Sequence, residues 1–302
     1  MGSVFLDRGS MIGRVRKTRL VALLAAATLT LTACGTPGGQ TSAGASSPSD
    51  AASAASASSG PVVEAGSVEI GDGRSLYRVC RGEGSPTVIL ESGDGGGRDQ
   101  WNQVISQIAE VTQVCAYDRG GLGRSDPVTG CRHLADLTSD LAQLLEAADI
   151  PGPYVLVGTS GGGYITAGLA EERPDDVAGI VLLDVFRPFT DPPPELIAET
   201  ACDAPGNDER RDYLAVEHEA WDARVEIGDI PVTVVTVEYE NPENLDEEEN
   251  IEGQQGWLTL SPQAEQIVVH TDHDIANADS DFVIEEVIKV VEAARTSGSV
   301  DY

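Results

Sequence analysis

Positive charge is what this chain most lacks. Its 302 residues carry 19 lysines and arginines against 50 aspartates and glutamates, a formal net charge of −31. So few bases cannot neutralise a phosphate backbone, which excludes nucleic acid as a partner, and any membrane contact must come from something other than a basic patch. Histidine is scarcer still, with four in the chain, leaving few candidates for a base that works near neutral pH. The five cysteines show no C-x-x-C and no Cys/His spacing of the kind zinc requires. The acidic run Asp246-Glu247-Glu248-Glu249 has no other ligands flanking it, so it reads as a solvated loop, and no metal or organic cofactor is expected.

The first sixty residues have the composition of address and tether, not of a core. Arg8, Arg14, Arg16, Lys17 and Arg19 form a basic leader, and Met11 also opens a complete one. The apolar run Leu20 to Leu31 that follows is too short for a confident membrane span. It ends in Leu31-Thr32-Ala33-Cys34, which resembles a bacterial lipoprotein signal. That resemblance implies export, removal of residues 1–33, lipidation of Cys34 and anchoring to the outer face of the cell membrane through the lipid alone. Residues 34–60 are almost entirely Ser, Ala, Gly, Pro and Thr, a flexible linker. Without the leader's five bases and Asp7, the rest carries 14 bases against 49 acids. Setting Cys34 aside leaves Cys80, Cys115, Cys131 and Cys202, an even number that suggests two disulfides in an exported protein.

From residue 61 to 302, apolar β-branched runs alternate with helical spacing. Strands are expected near Ser67–Ile70, Leu76–Cys80, Thr87–Glu91, Gln113–Tyr117, Tyr154–Val157, Gly179–Asp184, Val232–Val237 and Gln266–Val269. Leu134, Leu137, Leu141, Leu144 and Leu145 give one helix face, and Phe282–Ala294 closes the chain as another helix. Such alternation implies an α/β fold, a mostly parallel central sheet with helices on both faces and ligands at the carboxyl ends of the strands. Residues 186–229 break the rhythm with Pro192-Pro193-Pro194 and two acidic helical patches, and read as a short lid insertion.

One stretch organises the rest. Tyr154 to Val157 is a short apolar strand; Gly158-Thr159-Ser160-Gly161-Gly162 follows, and then a helix from about Tyr164. A serine at the apex of a strand-to-helix turn leaves no room for side chains at its flanking glycines and presents the hydroxyl outward. The next backbone N–H, that of Gly161, lies at a helix N-terminus, where it can stabilise an oxyanion.

With Glu91-Ser92-Gly93-Asp94-Gly95, the run Tyr117-Asp118-Arg119-Gly120-Gly121-Leu122-Gly123-Arg124-Ser125, the serine turn and the late His273-Asp274-Ile275, the chain resembles the α/β-hydrolase fold. The resemblance implies Ser160 as nucleophile and, from the order Ser, acid, His, a late base. His273 occupies the loop of that base, with His270 second; His133 and His218 lie before the nucleophile and within the insertion. It implies a second oxyanion donor at the N–H of Asp94, although Ser92 stands where the family usually has histidine. Asp118 and Arg119 are implied to shape the pocket structurally. The acid stays open between Asp184, at the end of an apolar strand, and Glu238 or Glu240, one strand later. The family's sheet sets the second and fourth strands side by side, which implies Cys80–Cys115 and leaves Cys131 with Cys202. The function implied is a serine hydrolase acting on a small-molecule ester or related acyl bond. An inactive binding lipoprotein, an acyltransferase and a peptidase on the same fold are the alternatives. A serine where epoxide hydrolases and dehalogenases carry aspartate argues against those two chemistries.

Overall fold

The computed structural model describes residues 63–239 and 247–297. The leader, the linker, Cys34 and Glu240 lie outside the described residues. The chain opens with a hairpin of β1 (Val63–Glu69) and β2 (Ser75–Arg81), turned at Gly73, whose φ of +80° suits a residue without a Cβ. There follow β3 (Thr87–Glu91), the short α1 (Ile105–Ile108), β4 (Val114–Asp118), α2 (Leu134–Ala147), β5 (Tyr154–Thr159), α3 (Gly161–Glu172) and β6 (Val177–Leu183). After β6 come α4 (Pro194–Thr200), α5 (Tyr213–Ala223), β7 (Val232–Val237), α6 (Glu247–Gln254), β8 (Ala264–Val269), α7 (Ile275–Ala278) and α8 (Ser280–Thr296).

The eight strands form one sheet in the order β1-β2-β4-β3-β5-β6-β7-β8. β2 runs antiparallel to both neighbours, and every other pair from β4 to β8 is parallel. Every residue of β3 through β7 is buried, as the uninterrupted apolar runs require of strands covered on both faces. Alternate side chains therefore feed two cores. Ile89, Leu156, Ile180, Leu182 and Val234 point to the layer of α2, α3 and α5. Val88, Leu90, Val157, Val181 and Leu183 point to Trp101, α1 and the Val283, Val287, Val290 and Val291 face of α8. On the first side Leu137, Leu141, Leu144 and Leu145 of α2 are buried together, as their spacing predicts.

The two disulfides join Cys80 to Cys115 and Cys131 to Cys202. The first pair sits directly across β2 and β4, where Cys80 faces Cys115 in register. The excursion between β6 and β7 carries α4 and α5; Val216 and Ala220 of α5 pack into the core beside α3. One expectation fails: Glu247–Glu249 is not loop but the start of α6. No helix of the described residues is long and apolar enough to cross a membrane.

Candidate active site

Ser160 sits between β5 and α3 with φ 48° and ψ −128°. A non-glycine residue there costs on the order of 1–3 kcal/mol and persists only where its surroundings over-determine it. They do: its N–H donates to Leu183 O at 2.9 Å, and its carbonyl accepts from Gly163 N–H at 2.9 Å. The turn also passes against the end of β3. A Cβ on Gly162 would lie 2.4 Å from Ser92 O, so only glycine fits that approach.

The Ser160 hydroxyl meets His273 Nε2 at 2.9 Å, and His273 Nδ1 meets Asp184 Oδ2 at 2.7 Å. Asp184 is fully buried. Its Oδ1 accepts from Gln254 Nε2 at 2.8 Å and Val237 N–H at 3.2 Å, and its Oδ2 also accepts from the Tyr239 hydroxyl. A buried carboxylate surrounded by donors keeps the proton of the imidazole on Nδ1 and leaves Nε2 to accept from serine. The hydrogen bond with Asp184 raises the pKa of His273 above its ordinary value; burial opposes this, and the charges of Asp184, Asp94 and Asp274 add to the rise. Phe186 stacks on the imidazole, 5.3 Å between centroids and 6° between planes, which fixes the plane of the ring.

The other candidates lie elsewhere. Glu238 turns outward at the end of β7 and faces His270 Nδ1 at 3.4 Å, so the second-ranked acid and the second-ranked base meet each other on the surface. His133 pairs with Glu219, and His218 contacts Phe189 O. Phe189 itself is exposed. Among the described residues no cluster of three or more His, Cys, Asp or Glu could hold a metal ion.

The loop after β3 lies across the nucleophile turn. Ser92 takes up the support that a histidine would give, accepting from Trp101 Nε1 at 3.0 Å and donating to Gly97 O at 2.9 Å. Gln100 accepts from Gly93 N–H at 3.0 Å and reaches Asp274, next to His273, at 3.3 Å. The Asp94 carboxylate sits over Gly161, where a Cβ would be 1.6 Å from Oδ1. Beneath this loop Arg119 is buried; it donates to Glu91 Oε1 at 2.6 Å, to Gly93 O at 2.7 Å and to Ser92 O, and it pairs with Glu209 at 2.5 Å. Burial raises the carboxyl of Glu91, which also accepts from Tyr117. Asp118 accepts from the N–H groups of Arg98 and Arg124 and shapes the adjoining turn.

Sequence reasoning missed Tyr239, Gln254, Glu209 and Arg211, all of which touch this constellation. For Arg211 a signal existed: in a chain so poor in bases, adjacent arginines at 210 and 211 inside an acidic insertion are conspicuous.

Residues 86–229 match the family model described as alpha/beta hydrolase fold. With the sheet order and the nucleophile turn above, this match gives the chain the α/β-hydrolase fold. It is 32% identical over 114 residues to YqjL of Bacillus subtilis, covering 37% of this chain and 45% of that protein. It is 31% identical over 126 residues to a non-heme chloroperoxidase of Streptomyces lividans, covering 41% of this chain and 45% of that protein. The chain thus spans less than half the length of these curated relatives. Among solved structures, a thermophilic esterase from Thermogutta terrifontis superposes with a TM-score of 0.62 at 19% identity, over 76% of this chain and 99% of the other. An epoxide hydrolase from Vigna radiata gives 0.61 at 15%, over 76% and 98%. At such identities the likeness is one of fold.

Proposed function

We propose that the chain is a serine hydrolase that cleaves a carboxylic ester or related acyl bond through an acyl-enzyme. The observation that carries this reading is the continuous relay from Ser160 Oγ through His273 to buried Asp184, at 2.9 and 2.7 Å. A serine hydroxyl is a poor nucleophile until a base within hydrogen-bond reach takes its proton. His273 Nε2 is in position to do so, and then to return the proton to the leaving alcohol; Asp184 holds the imidazolium formed between these steps. The N–H groups of Gly161 and Asp94 bind the carbonyl oxygen as it becomes negative. Water, activated by the same histidine, then attacks the acyl-serine and releases the acid. The relatives include proteins named for other chemistries, but the residue at the apex of this turn is serine, which favours an acyl intermediate. The lid of residues 186–229 selects the acyl group, and Cys34 carries a lipid that holds the enzyme at the outer face of the membrane.

A fluorophosphonate probe and a series of p-nitrophenyl esters test the reading. Wild-type protein should label once and hydrolyse the esters, whereas Ser160→Ala and His273→Ala should do neither while remaining folded. Undiminished hydrolysis by purified Ser160→Ala would refute it.

A further inference from the structure

The inner edge of the lid does more than cover the site. Arg211 is fully buried, and its fork spans the two loops that flank the nucleophile: Nη1 donates to Asp94 Oδ1 at 2.7 Å and Nη2 to Gly161 O at 2.9 Å. Two residues earlier, Glu209 accepts from Gly95 N–H at 2.9 Å and clasps Arg119, which in turn holds the carbonyls of Ser92 and Gly93. Every residue from Glu91 to Gly95 is thus tied, directly or through Arg119, to the lid segment. That segment is itself fastened to the body by a β-bridge between Arg132 and Arg211, with Arg132 N–H donating to Arg210 O at 2.8 Å and Asp212 N–H to Arg132 O at 3.0 Å. The Cys131–Cys202 disulfide anchors it again, next to Arg132.

The charges matter as much as the geometry. Asp94 places a carboxylate against Gly161. An oxyanion forming at the Gly161 N–H would be opposed by that carboxylate if nothing offset it. Arg211 supplies the offsetting cation from the protein side: it is itself fully buried, whereas Asp94 keeps its outer flank exposed. A neutral ground-state carbonyl feels little of this, so the effect falls on the transition state.

We infer that Arg211, backed by Glu209, is a positioning residue for the oxyanion hole, by which the lid aligns the two donor loops and neutralises Asp94 beside the developing charge. The inference rests on the serine-hydrolase reading above, and its test separates the two. Arg211→Gln, Asp94→Asn and the double variant are assayed with p-nitrophenyl acetate, with Ser160→Ala as control. Arg211→Gln should lower kcat by about 10²- to 10³-fold, the scale of losing one oxyanion donor, with KM changed no more than about threefold. The double variant should regain at least about tenfold in kcat over Arg211→Gln, because the unpaired carboxylate is gone. A residue that only props up the fold would give no such recovery. Wild-type kcat in Arg211→Gln, or a double variant no faster than that single, overturns the inference. Should Arg211→Gln fail to fold, Arg211→Lys keeps the charge but not the fork; it should lower kcat at constant KM, and wild-type kcat in it is the overturning result. Full activity in Ser160→Ala would instead sink the serine mechanism itself.

Discussion

Tyr239 and His273 share one oxygen of Asp184: the phenol donates to Oδ2, and the imidazole Nδ1 meets the same atom at 2.7 Å. Gln254 and the Val237 N–H occupy the other oxygen. The carboxylate cannot rotate without breaking several bonds, so it presents a fixed acceptor to the ring. Asp184→Asn would offer an amide N–H to Nδ1 and favour the wrong tautomer. The expected result is a loss in kcat on the order of 10⁴, the scale of losing a triad acid, with an unchanged circular dichroism spectrum. Tyr239→Phe should cost far less, since three donors to Asp184 remain.

The pH dependence follows from His273, whose pKa is raised above the ordinary 6.5, first by its hydrogen bond with Asp184. The base must be neutral to accept the serine proton, so activity falls as pH drops through that raised value. The acid limb of kcat/KM should therefore lie above pH 6.5. Stability runs the other way. A raised pKa in the folded state contributes stability that is fully present below the unfolded value and is lost as pH rises through the folded one. The protein should thus be most active where this pair contributes least. Asp94 adds to the rise, so Asp94→Asn should move the acid limb to lower pH; a pH–rate profile of both proteins checks the sign.

How much of this was legible in the chain depends on where each contact comes from. β3 to β7 are buried on both faces, and their apolar runs announced them. Ser160 carried its own glycines, and the position of His273 followed from chain order. Asp184 against Glu238 could not be decided locally, because each ends a strand at the same edge of the sheet. What separates them is the direction of one side chain: Asp184 turns in to four donors, whereas Glu238 follows buried Val237 and turns out to His270. α6 was hidden for another reason. Its inward face bears Asn250 and Gln254, four residues apart and hydrogen-bonded to each other at 3.2 Å. A search for apolar periodicity is blind to a helix whose buried face is polar. Arg211 and Glu209 act across more than a hundred residues of chain, on Asp94 and Gly95, and no local pattern encodes that.

Gly161 is the tightest position in the site. A methyl there would meet Asp94 Oδ1 at 1.6 Å and Asp94 Cγ at 2.3 Å. Gly161→Ala should push the Asp94 carboxylate off Arg211 and lower kcat by about 10²-fold, the cost of roughly an ångström of misplacement. Adding Asp94→Gly should recover part of that loss. Ester kinetics on the three variants would show it.

Arg119 joins Glu91 and Glu209 in a cluster sealed from water, all three side chains being at most 3% exposed. Removing one member strands the rest. Arg119→Ala should lower stability by about 3–5 kcal/mol, measured by urea denaturation at neutral pH. A surface lysine such as Lys289, paired with exposed Glu265, should cost no more than about 1 kcal/mol on substitution by alanine.

The Cys131–Cys202 bridge closes a ring of chain that encloses both Ser160 and Asp184, while His273 and Arg211 lie beyond it. A single protease cut anywhere between residues 132 and 201 therefore opens the ring without releasing a fragment. The exposed helix α4, none of whose residues is buried, is the natural place for such a nick. Cleaved there, the nucleophile and its acid would belong to one polypeptide and the base to another, the two held by one covalent bond between sulfurs and by the unbroken sheet.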